Sequence, residues 1–381
     1  MKKSLLKFSA LLMAGMLVLS GCGSTTKDEA AKPAETNNTA EAPKAAETDA
    51  ATAVKVGFIY VGPTGDGGWS YAHDQGRLYL EEQLGVETII KESVPESQEV
   101  EAVAASMIDQ GCNVIFATSF GYMDYLEKMS KEYPDVKFFH CSGYKTTENM
   151  TAYFGRVYQA RYLSGIVAGM KTETNKIGYV AAFPIPEVIR GINAFTLGAQ
   201  SVNPDVKVQV TWTNTWYDPA KEKDAAIALL DSGADVIAQH QDTAGPQQAA
   251  EERGVWAVGY NSDMSMFAPK ANLTSAVWNW GPYYVEAVQS VIDGTYQSES
   301  YWHGLEAGIV DISPLTENAP AGAQEKVDAA KAAILDGSLN PFAGPIKDQT
   351  GAVKVEEGNA MTDEEMLSFD WFVAGVEGEI K

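Results

Sequence analysis

Cysteine and histidine are scarce in this chain, which has three cysteines and four histidines among its 381 residues. The sequence also lacks His-Glu-x-x-His, Cys-x-x-Cys and Gly-x-Ser-x-Gly, which mark common metalloenzymes, redox proteins and hydrolases. The histidines are far apart and do not have the spacing of metal ligands; they are His73, His140, His240 and His303. We therefore expect no metal site, no cofactor and no enzymatic activity.

Only Cys112 and Cys141 follow the first cysteine, Cys22. Each lies in an apolar, strand-like segment, where a free thiol behaves as a small buried apolar group. The two could form a disulfide, which the sequence alone cannot decide. We favour two buried free thiols.

Positive charge is in deficit. The chain has 28 lysines and arginines against 51 acidic residues, a formal net charge of -23. An acidic surface disfavours binding to nucleic acid polymers, whose backbone is itself negative. It leaves open the binding of a small, neutral ligand in a cleft.

The first residues predict export from the cytoplasm. A basic start is followed by the apolar stretch Phe8–Leu19, which is short for a bilayer span of ~20 residues. The motif Leu19-Ser20-Gly21-Cys22 resembles a bacterial lipobox, in which Cys22 would carry the lipid. The alternative is an ordinary signal with a chance cysteine. We predict a removed signal over residues 1–21.

Bulky apolar residues are missing from Gly23 to Thr52, where Ala, Glu, Thr, Lys, Pro and Asn dominate. Such a segment cannot bury enough apolar surface to offset the entropy cost of ordering it. We predict a flexible tether over residues 22–53. No later segment resembles a membrane span.

Two pairs of segments repeat at nearly the same offset. Lys55–Ile59 resembles Lys176–Val180 at an offset of 121 residues, and Met107–Ile115 resembles Leu229–Ile237 at 122. In each copy, helically spaced apolar residues, a glycine and a buried-strand run follow one another. Strands that alternate with helices predict an α/β fold with parallel sheets in two similar lobes. Ligands of such sheets lie at the carboxyl ends of the strands.

The loop Gly62–Ser70 follows the first predicted strand but matches neither the dinucleotide fingerprint nor the P-loop. Gly67 and Gly68 would let the backbone approach a ligand closely. Asp66 is expected to accept hydrogen bonds from this loop, and Asp74 is expected on a helix. Trp69 is expected to project into the cleft; the alternative is a core position.

Almost every predicted strand end places an aromatic residue next to an amide, hydroxyl or carboxylate. Rings can stack on the faces of a flat ligand while polar groups read its edge. Glu187 could bond the ligand or cap a helix N-terminus. The candidate ligand-binding residues are Trp69, Ser70, Phe120, Tyr122, Glu187, Phe195, Trp216, Asp242, Asn261, Trp278 and Trp280.

Val56–Ile59 together with Gly65–Ser70 resembles the opening of the basic membrane protein (BMP) family of substrate-binding lipoproteins. Asn113–Thr118 and Tyr133–Phe138 are also similar to that family. The resemblance implies a type I periplasmic-binding-protein fold, with two Rossmann-like lobes joined by a hinge. It implies purine nucleosides as ligands, with Trp69 and one further ring, Phe195, on either side of the base. It also implies an ABC permease and its ATPase as partners.

The sequence departs from the nucleoside-binding pattern at the positions that hold the ribose. Asn261 stands in place of an acidic residue and Trp278 in place of a lysine. The aspartate that reads the base is replaced by Cys141 or Ser142. The segments Thr118–Asp124 and Trp280–Tyr284 resemble instead a subgroup that binds a free base such as adenine.

These observations predict a monomeric, lipid-anchored capture protein on the outer face of the cell membrane, which closes around its ligand at the hinge. The alternatives are a nucleoside-binding member of the family, a ligand-sensing receptor and, least favoured, an enzyme acting on nucleosides. The predicted domains are residues 54–153 with about 276–310 as lobe 1, 154–275 as lobe 2, and 311–381 completing the lobes and hinge.

Overall fold

A computed structural model describes residues 53–380. The predicted signal, Cys22 and the tether up to Thr52 lie outside the described residues. In chain order the strands are β1 (Lys55–Ile59), β2 (Glu87–Lys91), β3 (Val114–Ala117), β4 (Lys137–Cys141), β5 (Met150–Gly155), β6 (Lys176–Ala181), β7 (Lys207–Trp212), β8 (Val236–His240), β9 (Trp256–Asn261), β10 (Asn272–Trp278), β11 (Ser300–His303), β12 (Val310–Ile312), β13 (Ile346–Lys347), β14 (Val353–Val355) and β15 (Val376–Glu377). The helices are α1 (Trp69–Leu84), α2 (Glu99–Asp109), α3 (Met123–Glu132), α4 (Val157–Lys171), α5 (Pro186–Gln200), α6 (Pro219–Asp231), α7 (Gly245–Glu252), α8 (Trp280–Ile292), α9 (Ala323–Leu335) and α10 (Asp363–Leu367).

The strands form two large sheets, one in each lobe. The first has the order β11-β5-β4-β3-β1-β2 and is parallel throughout. The second has the order β12-β10-β9-β8-β6-β7-β15, with only β12 antiparallel. This confirms the predicted α/β fold with two Rossmann-like lobes, and each sheet reverses its strand order beside its first strand, where ligands bind in such folds.

The internal repeat is visible in how the two lobes pack. Gly57 of β1 pairs with Ile115 of β3, and Gly178 of β6 pairs with Ile237 of β8. A Cβ atom at Gly57 would lie 2.7 Å from the Met107 side chain of α2, and one at Gly178 would lie 2.8 Å from the Leu229 side chain of α6. The same close helix–sheet packing therefore explains why both copies have glycine at this position.

The lobe boundaries differ from the prediction at three places. Residues 154–155 were predicted for lobe 2, but they complete β5 and pair with β11 in the first sheet. Residues 276–278 were predicted for lobe 1, but they complete β10 and pair with β9 and β12 in the second sheet. The C-terminal segment was predicted to complete both lobes, but it adds β12 and β15 to the second sheet and packs α9 on α4. The chain passes between the sheets three times: after β5, after β10 and between β11 and β12.

Cys112 and Cys141 are buried free thiols, as favoured from the sequence. Burial raises the pKa of both thiols, so neither is a reactive thiolate at neutral pH. Within residues 53–380, no helix is both long and apolar enough to cross a bilayer.

Candidate ligand-binding site

Loops from the carboxyl ends of the strands in both lobes border a cavity, which we call the inner cavity. The centres of water-sized spheres fit within about 20 Å³ of it, and its free space is about 320 Å³ when the part open to solvent is included. Lobe 1 contributes the loops after β1, β3 and β4, and lobe 2 contributes the loop before α5 and the ends of β7, β8 and β9. The lining residues are Val61, Trp69, Ser119, Phe120, Ser142, Glu187, Trp216, His240, Asp242 and Tyr260.

Asp66 organises the loop that leads into α1. Its carboxylate accepts hydrogen bonds from the backbone N–H groups of Gly68 (2.7 Å), Ser70 (2.9 Å) and Tyr71 (3.0 Å). Burial raises the pKa of Asp66 to about 6, although the three N–H groups oppose that rise. This confirms the expectation that Asp66 bonds the loop backbone, and it fixes where Trp69 begins the helix.

The two lobes touch beside the inner cavity. A Cβ atom at Gly68 of lobe 1 would lie 2.1 Å from the backbone carbonyl oxygen of Asp242 in lobe 2. Ser262 of lobe 2 donates its hydroxyl to the Gly67 carbonyl, and the Phe267 ring lies against Gly67. The absence of a side chain at Gly68 is therefore what allows the lobes to meet here.

Trp69 lines the inner cavity and is held in one orientation. Its indole N–H donates to the Thr118 carbonyl at 2.6 Å, and 8% of the residue remains exposed. Trp278 and Trp280 stack on each other at 4.5 Å and both meet Trp69 edge-on at 5.8 Å. These two tryptophans, predicted as ligand contacts, lie outside the cavity lining and support Trp69 from behind.

Lobe 2 supplies most of the polar side of the inner cavity. His240 Nε2 lies 3.3 Å from Glu187 Oε1 and 3.2 Å from the Tyr260 hydroxyl, and Asn261 donates to Asp242 at 3.3 Å. Burial raises the pKa of Glu187 to about 7 and that of Asp242 well above its usual range. Burial also lowers the pKa of His240, which is neutral at pH 7. The site therefore offers two carboxyl groups and a neutral imidazole.

Glu187 was predicted either to bond the ligand or to cap a helix N-terminus. It lies in the first turn of α5, where its charge suits the helix dipole, but it makes no capping hydrogen bond and its side chain lines the inner cavity.

Of the eleven predicted residues, five line the inner cavity: Trp69, Phe120, Glu187, Trp216 and Asp242. Phe195 does not, because it lies well along α5 on the face that packs against the sheet. It is fully buried, with its ring edge-on to Tyr179 at 5.5 Å. The structure therefore does not place Phe195 opposite Trp69; Trp216 is the large aromatic residue that lobe 2 brings to the cavity.

Three further predicted residues are structural supports. Tyr122 is buried and donates its hydroxyl to the Val94 carbonyl, and Ser70 accepts a hydrogen bond from the Gly62 N–H. Asn261 is buried behind Asp242 and accepts the indole N–H of Trp278 at 3.1 Å.

Five lining residues were not among the eleven candidates: Val61, Ser119, Ser142, His240 and Tyr260. His240 and Tyr260 stand at the ends of buried strands, in the same segments as Asp242 and Asn261. Their position at strand ends could have identified them as cavity residues. Histidine and tyrosine at such positions are also common in protein cores, so the position alone did not distinguish the two cases.

Residues 53–339 match a family described as ABC transporter substrate-binding protein PnrA-like. The chain is 46% identical over 329 residues to a purine-binding protein of Brucella abortus, which covers 86% of this chain and 94% of that protein. It is 38% identical over 386 residues to a putative ABC transporter glucose-binding protein of Haloferax volcanii, with 98% and 96% covered.

Solved structures share the fold. A solute-binding protein of Aeropyrum pernix superposes with a TM-score of 0.68 at 21% identity, covering 77% of this chain and 94% of that one. One from Conexibacter woesei gives a TM-score of 0.63 at 24% identity, covering 76% and 98%.

Proposed function

This chain belongs to the PnrA-like Bmp family of ABC transporter substrate-binding proteins, and from that premise we propose that it captures a free purine base, adenine first, and delivers it to a permease. Its family is one of substrate-binding proteins, not enzymes. The name of the Brucella abortus relative supports a purine, and that of the Haloferax volcanii relative makes glucose the competing ligand.

The observation that carries the proposal is the pairing of aromatic rings with carboxyl groups in the inner cavity. Trp69, Phe120 and Trp216 can stack on a flat ring system. Glu187, whose pKa is about 7, is a hydrogen-bond acceptor when ionised, whereas the raised pKa of Asp242 favours a protonated carboxyl that can donate as well as accept. None of the described residues lining this cavity is a lysine or arginine. Adenine presents an amino group and a ring N–H as donors. Hypoxanthine places a carbonyl oxygen where adenine has its amino group, so the cavity favours the aminopurine.

The residues behind Asp242 disfavour a ribose. Trp278 fills the space beside Asn261 and uses its indole N–H on the Asn261 side-chain oxygen. The acid and lysine of the nucleoside-binding pattern are both absent from these positions. Ribose hydroxyls bound here would lose partners that they have in water, which selects against the nucleoside.

Calorimetric titration with adenine, guanine, hypoxanthine, adenosine, inosine and glucose tests the ligand class. We expect adenine to bind most tightly. Tighter binding of adenosine than of adenine would return the protein to the nucleoside binders. Binding of glucose with no response to any purine would overturn the purine assignment.

Affinity for adenine should rise with pH through about 7. Glu187 accepts an adenine N–H only when ionised, and burial raises its pKa to about 7, against the opposing charges of Arg190 and Arg161. Below pH 7 the carboxyl is increasingly protonated, so up to about tenfold in affinity should be lost per pH unit. Titrations from pH 5.5 to 8.5 measure this. Glu187→Gln, which does not titrate, should give a flatter profile; an unchanged slope would assign the proton to Asp242 instead.

We further propose that Cys22 carries a lipid that tethers the protein to the outer face of the membrane, near the permease. The support is the lipobox-like Leu19-Ser20-Gly21-Cys22. Cys22→Ala should move the protein from the membrane fraction to the soluble fraction. A variant that still fractionates with membranes would contradict the lipid anchor.

A further inference from the structure

A second, larger cavity adjoins the inner cavity, and we call it the outer cavity. It encloses about 1210 Å³ of open space between the lobes. It shares Phe120, Ser142 and Glu187 with the inner cavity, so the two are continuous. Its far walls come from β11 of lobe 1 and α10 of lobe 2.

Arginine is concentrated at this cavity. The whole chain has only five arginines, and two of them, Arg156 and Arg190, line the outer cavity. Both guanidinium groups lie over the ring of Trp302, at 4.1 Å for Arg156 and 5.1 Å for Arg190. Trp302 therefore holds two planar cations side by side in a protein that is otherwise strongly acidic.

The two arginines differ in how their charge is balanced. Arg156 makes a two-pronged ion pair with Asp363, at 2.8 and 2.6 Å. Arg190 is only 3% exposed and donates Nη1 to the Met366 carbonyl at 2.6 Å, but it forms no ion pair with any residue in the range 53–380. A guanidinium has five N–H donors, so Arg190 keeps donors for a ligand. The nearby Glu187 carboxyl offsets part of the cost of burying this charge, but no carboxylate is in direct ion-pair contact with the guanidinium within residues 53–380, so an anion that reached it would offset more.

The N-terminus of α5 adds to the positive potential. Ile185 and Pro186 line the outer cavity, and Ile185 at the cap has no side chain that can accept the first-turn N–H groups. Glu187 is the acid nearest in sequence on this helix, and its carboxylate is turned to His240 at 3.3 Å.

We propose that the outer cavity is an oxyanion subsite centred on Arg190, beside the purine site. The anion is inorganic phosphate bound next to the base. A nucleoside monophosphate is the other source of the same group, but it would bring the ribose that Trp278 and Asn261 disfavour. Arg190 is the main contact. Arg156 can contribute to the extent that its ion pair with Asp363 opens. This proposal rests on the proposed function in one respect only, namely that a purine occupies the inner cavity.

Calorimetry on the mature chain tests the subsite at constant ionic strength, because surface charges respond to salt. The probes are inorganic phosphate alone, phosphate with adenine-saturated protein, adenosine and adenosine 5′-monophosphate. The variants are Arg190→Met, which keeps the bulk of the side chain without its charge, and Asp363→Asn, which frees Arg156. The control is Arg253→Gln, which removes the same charge from a surface ion pair with Asp231.

We expect Arg190→Met to weaken phosphate or nucleotide binding by about tenfold or more, since the lost contacts are charge-assisted hydrogen bonds. Adenine binding should weaken less, because Arg190 affects it only by lowering the pKa of Glu187. Asp363→Asn, at a half-exposed residue, should strengthen oxyanion binding several-fold, and Arg253→Gln should have no effect. An Arg190-dependent response to phosphate alone identifies a separate anion, whereas a response only to the monophosphate identifies a nucleotide.

The inference is overturned if neither phosphate nor the monophosphate responds to Arg190→Met and Asp363→Asn while adenine still binds. If adenine fails to bind but phosphate binding depends on Arg190, the purine proposal fails and the oxyanion subsite stands.

Discussion

Replacing Gly68 by alanine is expected to weaken adenine binding by about 5- to 150-fold. The added Cβ would lie 2.1 Å from the Asp242 carbonyl oxygen, a backbone atom of the opposite lobe that cannot move independently of β8. Overpacking of this kind costs about 1–3 kcal/mol, at 1.4 kcal/mol per tenfold in affinity. The cost falls on the state in which the lobes meet, so an open form avoids it.

Titration calorimetry measures the affinity, and small-angle scattering measures whether adenine still compacts the protein. Gly65→Ala is the matched control, because a Cβ atom there meets no heavy atom within 4 Å. The ligand-free melting temperature should change little in either variant. Wild-type affinity in Gly68→Ala would show that binding does not need the lobes to meet at this point.

Trp69→Ala should also weaken adenine binding by about 5- to 150-fold. Stacking of a base on an aromatic ring is worth roughly 1–3 kcal/mol in single-strand nucleic acid binders. The Trp69 ring is held for this contact by its hydrogen bond to the Thr118 carbonyl and by Trp278 and Trp280 behind it. Part of the loss will come from the gap left in that aromatic cluster.

Trp69→Phe keeps a six-membered ring that can stack, but it loses the indole N–H and the fused five-membered ring. We expect it to recover part of the affinity lost in Trp69→Ala. Trp256→Ala is the control for loss of a tryptophan, because Trp256 begins β9 at the end away from the cleft and packs under Lys171. Equal losses of affinity in Trp69→Ala and Trp256→Ala would mean that lost stability, rather than lost stacking, explains the result.

The sequence was sufficient to predict the position of the cleft. The repeat at an offset near 121 residues and the alternation of strands and helices predicted two parallel sheets. The rule that ligands lie at carboxyl strand ends then led to the loops that carry Trp69, Phe120, Glu187, Trp216 and Asp242. All five line the inner cavity.

Prediction from the sequence was less accurate for residues that lie on a helix or that contact a residue of the other lobe. Phe195 was selected by its match to a family position, yet its turn of α5 faces Tyr179 in the core. Trp278 was expected as a ligand contact, but stacking on Trp280 buries it behind Trp69.

The sequence by itself determined the alternation of strands and helices, the two-lobed plan and the strand-end loops that border the cleft, because these depend on periodicity and on residues close together along the chain. Only the tertiary structure decided which side chains of those loops point into the cavity. It also decided that the guanidinium groups of Arg156 and Arg190 both lie over the ring of Trp302. Trp302 belongs to β11 and is 112 residues beyond Arg190 in the sequence. The physical reason is that such neighbours are set by long-range packing between lobes and by the C-terminal segment, for which local sequence patterns carry no signal.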